Sequence, residues 1–179
     1  MSDNTRPLDN LKLHYGTSLL YPVCTMGAHV SDADPKVPLS TRAAVAMCGT
    51  FGYELDATRL GKEELAECRK QSRLFKKYFP VIFYGDYFRL TDPFRMGNFT
   101  AWQSVSKDGS ESLLTVVITG QTVNGPQEYV RAKGLEPGSM YRIERLDITL
   151  SGSALMNAGL PVPREVADYS SFQYYLKRI

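Results

Sequence analysis

The residues able to do chemistry are few and sit mostly in the first third of the sequence. Ser2, Asp3, Asn4 and Thr5 stand together ahead of Pro7. Asp3 brings a carboxylate able to move a proton. All four residue types also cap helices ahead of a proline in the first turn, so spacing alone leaves both roles open. Asp32 and Asp34 have the spacing of a carboxylate pair, but beside Pro35 they read as turn residues. His29 falls near the end of an apolar run, where an imidazole can face a pocket or be hydrogen-bonded within the surrounding wall. His14 belongs to a helix face. With these two histidines and no close pair among Cys24, Cys48 and Cys68, no metal site is expected. No glycine-rich phosphate loop, nucleotide fingerprint or Ser-His-Asp order is present, so no cofactor is implied.

The elements that must position these groups change character along the chain. A helix is predicted from Pro7, capped by Asn4 or Thr5, with Leu8, Leu11, Tyr15 and Leu19 on one face. Residues 23–30 form a short, uncharged apolar run around Gly27, which predicts a strand buried on both faces, as in a parallel sheet. Ser40 or Thr41 can cap a helix that is apolar all round over residues 43–48, and such a helix needs a larger body to bury it. In residues 62–79, Leu65, Cys68, Ser72, Phe75 and Phe79 recur at helical spacing, and Pro80 is expected to end that helix.

From about Gly85 the period becomes extended. Residues 86–90, 99–105, 112–119, 127–132, 140–144 and 172–176 are short and rich in aromatic or β-branched types. Asp108-Gly109 is a hairpin signal. Six strands without intervening helices predict an antiparallel sandwich over residues 85–179, after an α/β segment in residues 1–84. One strand and three helices cannot complete an α/β domain, because a buried parallel strand needs neighbours on both edges. The first half reads as part of something larger.

Composition narrows the function classes. The chain has 179 residues, 43% hydrophobic and 22% charged, enough to bury a core. Its formal charge is +2 with both signs interspersed, so no basic face for nucleic acid is expected. No stretch has the length and apolarity of a membrane span, and no leader pattern opens the sequence. Three widely spaced cysteines argue for reduced thiols and a cytoplasmic setting.

The strings Ser2-Asp3-Asn4-Thr5, Leu11-Lys12-Leu13-His14-Tyr15-Gly16-Thr17-Ser18-Leu19-Leu20-Tyr21-Pro22 and Thr25-Met26-Gly27-Ala28-His29-Val30-Ser31 resemble, in order and spacing, the end of the barrel of glycoside hydrolase family 36 α-galactosidases. The resemblance continues through Thr41-Arg42, residues 49–56, Tyr84-Gly85-Asp86-Tyr87-Phe88-Arg89-Leu90 and Met156-Asn157-Ala158-Gly159-Leu160. It implies the tail of a (β/α)8 TIM barrel, with its last helices and eighth strand, followed by an antiparallel β-sandwich. It also implies a parent enzyme that hydrolyses terminal α-linked galactose and assembles as a homo-oligomer when full length.

By the same resemblance Asp3 is the general acid/base, just past the seventh strand. His29, at the carboxyl end of the eighth strand, is the substrate-binding candidate by its place, the alternative being a histidine hydrogen-bonded within the barrel wall. The family's nucleophile lies in a Lys-Trp-Asp context that this sequence does not contain; its single tryptophan is Trp102. A retaining glycosidase needs both carboxylates, about 5 Å apart, so this chain alone is expected to be inactive without the upstream barrel portion. Two departures from the pattern stand out. Arg6 replaces a usual second Asp, and residues 31–38 make a shorter loop lacking a Pro-Asn-His-Gln string. Tyr53, Tyr84, Tyr87, Trp102, Tyr174 and Tyr175 could stack on sugar rings or pack in the core. The alternative is a non-catalytic module whose sandwich binds carbohydrate or serves as a structural partner.

Overall fold

The computed structural model describes residues 5–95, 97–121, 124–164 and 166–179. Helices and strands alternate first, and antiparallel strands follow. The first part runs α1 (Pro7–Thr17), β1 (His29–Ser31), α2 (Leu39–Ala46), β2 (Gly52–Glu54) and α3 (Lys62–Tyr84). The second contains β3 (Asp86–Arg89), β4 (Phe99–Val105), β5 (Glu111–Ile118), β6 (Tyr129–Val130), β7 (Met140–Ile143), β8 (Ile148–Ser151), α4 (Gly152–Asn157), β9 (Leu160–Pro161) and β10 (Ser171–Arg178).

The first part corrects the expectation of one strand over residues 23–30, the eighth of a barrel. Two short strands occur instead, β1 and β2, paired in parallel with His29 opposite Gly52 and Ser31 opposite Glu54. Residues 23–25 form a 3-10 turn, because Thr25 bonds back to the Pro22 carbonyl through both its amide and its hydroxyl. Only from Met26 onward does the chain run beside its neighbour, its carbonyl accepting from Thr50 and that of Ala28 from Gly52.

The helices form on the expected segments but with other ends. Arg6 is the N-cap residue of α1, without a side-chain cap bond, in place of Asn4 or Thr5; Asn4 lies outside the described residues. Pro38 caps α2, and Thr41 points its hydroxyl instead to the Tyr169 carbonyl at 2.6 Å, tying α2 to the far end of the chain. Helix α3 runs through Pro80 to Tyr84. An internal proline costs about 3 kcal/mol, and burial of Val81 and Ile82 beyond it returns roughly 1.5–3 kcal/mol each.

Strands β3-β4-β5-β10-β7-β8 form one antiparallel sheet in that order, and β6 pairs with β9 as a separate ribbon. Both faces of the sheet are apolar. On one face Leu114, Val116, Tyr141, Ile143, Tyr174 and Leu176 meet Val130, Leu135, Leu155 and Leu160 in a closed interior. On the other, Leu113 and Tyr175 pack with Ala43, Tyr78, Val81 and Ile82, while Trp102 and Val117 pack with Leu11, Val23, Met26 and Val45. Trp102 therefore joins the two parts of the chain instead of filling the interior of the second.

Candidate functional site

Strand alternation decides what β1 and β2 present to each side. Val30 is fully buried and packs with Ala43 and Tyr78, so it faces the helices. Tyr53, its parallel partner, also faces them. Its hydroxyl donates to Gln71 Oε1 at 2.9 Å and lies 3.0 Å from the Cys68 carbonyl, and Gln71 in turn donates to Glu67 and to the Leu39 carbonyl. The flanking positions His29, Ser31, Gly52 and Glu54 point the opposite way.

On that opposite side His29 is about half exposed, with Nδ1 3.7 Å from Glu54 Oε2. Gly52 makes room for the imidazole, since a Cβ there would stand 3.2 Å from His29 Cδ2. Ser31 is buried and makes the connection of most interest. Its hydroxyl donates to the Thr5 carbonyl at 2.8 Å and receives the Ala33 N–H at 3.3 Å. Its carbonyl accepts from Arg42 Nη1 at 2.7 Å, and Arg42 Nε also donates to the Val37 carbonyl at 3.1 Å. One guanidinium thus clamps both ends of the loop after β1, while the strand's last hydroxyl holds the chain just after Asn4.

Asp3 itself lies outside the described residues. His29 lies at the start of β1, not near its end, with its side chain on the uncovered side of the strand pair. Asp32 and Asp34 occupy the turn after β1, where the Asp34 carbonyl accepts the Val37 N–H. His14 is buried in α1, and burial pulls its pKa down to about 4, so it is neutral at neutral pH. The Cys48 thiol, which donates to Tyr87 Oη at 3.5 Å, is pushed up to about 12 by burial. Of the aromatic candidates, Trp102, Tyr174 and Tyr175 are core, Tyr53 and Tyr87 are hydrogen-bonded within the packing, and Tyr84 is exposed. Among the described residues no group of three His, Cys, Asp or Glu could hold a metal ion, and no helix is long and apolar enough to cross a membrane. Sequence reasoning singled out Asp3 and His29 but missed Ser31, Arg42 and Glu54, although all three of the missed residues lay inside the strings that carried the resemblance.

Residues 1–85 match the family model described as Melibiase, and residues 99–176 match the Glycosyl hydrolase family 36 C-terminal domain. The chain belongs to glycoside hydrolase family 36. This family 36 chain is 41% identical over 179 residues to the bifunctional alpha-galactosidase/sucrose kinase AgaSK of Mediterraneibacter gnavus, covering 97% of the chain and 19% of the relative. It is also 41% identical to the alpha-galactosidase AgaA of Geobacillus stearothermophilus, over 99% of the chain and 25% of the relative. A crystal structure of a variant of that GH36 AgaA in complex with raffinose superposes with a TM-score of 0.94 at 38% identity, covering all of this chain and 25% of the other. The chain thus spans a fifth to a quarter of the length of the relatives it matches.

Proposed function

We propose that residues 1–179 are the closing section of an α-galactosidase that releases terminal α-linked galactose from oligosaccharides of the melibiose and raffinose type. The observation that carries this reading is similarity running without a break across both parts of the chain to proteins named as α-galactosidases. In it, residues 1–84 are the end of a (β/α)8 barrel and residues 85–179 a sandwich, with the β6–β9 ribbon as the smaller second layer. Two parallel strands follow Asp3 instead of one. If β2 is the eighth strand, β1 is the seventh, and Asp3 stands past the sixth.

Barrel enzymes keep their reacting groups at the carboxyl ends of strands, and Asp3 is the group we assign as general acid/base. It protonates the departing oxygen and then takes a proton from water, while a carboxylate outside residues 1–179 attacks the anomeric carbon. His29, on the uncovered side of β1, is assigned to the substrate side. The parent enzyme is read as a cytoplasmic homo-oligomer.

The test replaces the matching quarter of the Geobacillus AgaA with residues 1–179. The chimera should hydrolyse both raffinose and an activated aryl α-galactoside. Asp3→Asn should lose far more on raffinose, whose leaving group needs a proton, with general-acid catalysis contributing about 10²–10⁴-fold. A folded chimera that hydrolyses neither substrate would refute the reading, and equal losses on both substrates would remove Asp3 as the general acid.

A further inference from the structure

The geometry points to Glu54 as a second group on the substrate side, one that accepts a hydroxyl of the terminal galactose. This inference rests on the barrel reading above and adds a residue that selects the sugar. Strands β1 and β2 turn Val30 and Tyr53 toward the helices and turn His29, Ser31, Gly52 and Glu54 toward the uncovered side. None of these four residues is a large apolar one. The interior of a closed barrel is ordinarily filled by branched apolar side chains. A side that carries an imidazole, a hydroxyl and a carboxylate is suited instead to a polar ligand.

Glu54 is the last residue of β2, at the carboxyl end, where barrel enzymes hold their substrates. It is exposed, and its carboxylate Oε2 lies 3.7 Å from His29 Nδ1. That separation is longer than a hydrogen bond, so the imidazole steers the carboxylate without saturating its lone pairs. Gly52 makes the arrangement possible. It sits opposite His29, two residues before Glu54, and a Cβ there would crowd the imidazole at 3.2 Å from Cδ2. A hydroxyl bonds more strongly to a carboxylate than to a neutral oxygen. Because that bond is made to the galactose ring and not to the bond being broken, it tightens ground state and transition state alike.

The AgaA chimera tests this with raffinose, an aryl α-galactoside and the monodeoxy forms of that aryl galactoside. Glu54→Ala should raise KM on raffinose and on the aryl galactoside by about 10–100-fold, and leave kcat within about 3-fold. On the one monodeoxy galactoside that lacks the hydroxyl Glu54 accepts, the same substitution should cost less than about 3-fold, since the two deletions remove a single bond. Glu54→Gln, which keeps the shape and an acceptor oxygen, should fall between the two, and it carries the same comparison should Glu54→Ala not fold.

Losses of one size across the whole deoxy series would overturn the inference, because a structural role is blind to the hydroxyls of the sugar. So would an unaltered KM, or a fall in kcat with KM unchanged. A folded chimera that keeps Glu54 and hydrolyses neither raffinose nor the aryl galactoside would instead remove the α-galactosidase reading, and this inference with it.

Discussion

Excising residues 85–179 asks whether the antiparallel sheet can stand without the helices behind it. Period change and apolar content alone predict that it folds by itself. The structure argues otherwise, because the sheet has a second apolar face. Without residues 1–84, Trp102, Leu113, Val117 and Tyr175 lose their cover from α1, α2, α3 and the 23–26 turn. Leu113 and Val117 each account for about 1.5–3 kcal/mol of burial, and the two aromatics bury about 150–250 Å² each. Together this is at most about 10–18 kcal/mol, enough to offset the 5–15 kcal/mol that holds a whole domain. The expected product is an associating or unfolded species. It can be checked by light scattering and by the emission of Trp102, the single tryptophan, which should shift red relative to the full chain. A monomer that unfolds cooperatively in urea with Trp102 still buried would refute the reasoning.

His14 is neutral in the folded chain down to about pH 4 but titrates near its ordinary value of 6.5 when unfolded. The unfolded state therefore binds more protons between those values, and stability should fall by about 3 kcal/mol as pH drops through that window. Urea unfolding at pH 7.5 and 4.5 should show this slope, and His14→Gln should flatten it. Native chain should react with a thiol reagent at Cys24 and Cys68, with Cys48 reacting only after denaturation, because Cys48 is buried and its thiol pushed up to about 12. The 179-residue chain alone should not turn over an aryl α-galactoside; turnover that vanishes in Asp3→Asn would show that both required carboxylates are within it.

The antiparallel strands were legible because their β-branched and aromatic residues alternate over lengths that helices do not share. β4 occupies the expected residues, and β5 and β10 differ only at their ends. β8 was missed, since Ile148–Ser151 follows a turn closely and runs straight into α4. Pro80 misled for a tertiary reason: the burial that carries α3 past it comes from the sheet, which no local window contains. The apolar run at 23–30 hid a turn and a strand under one composition, separable only once the partner strand at 52–54 is known. Of the site, the resemblance supplied Asp3, and a place near the end of an apolar run suggested His29. Ser31 and Arg42 act through carbonyl groups, and bonds to the main chain leave no mark in residue type.

Strand β10, the last among the described residues, is not at the edge of its sheet. β10 lies between β5 and β7, with Tyr175 beside Leu113 and Arg178 beside Tyr141. A ribosome therefore releases β5 and β7 as bare edges, each with a row of unpaired main-chain groups, and neither finds its partner until residues 171–178 have left the exit tunnel. During synthesis at about 5–20 residues per second, the nascent sheet waits several seconds in two unjoined pieces, a window in which chaperones or a neighbouring nascent chain compete for the slot that β10 fills.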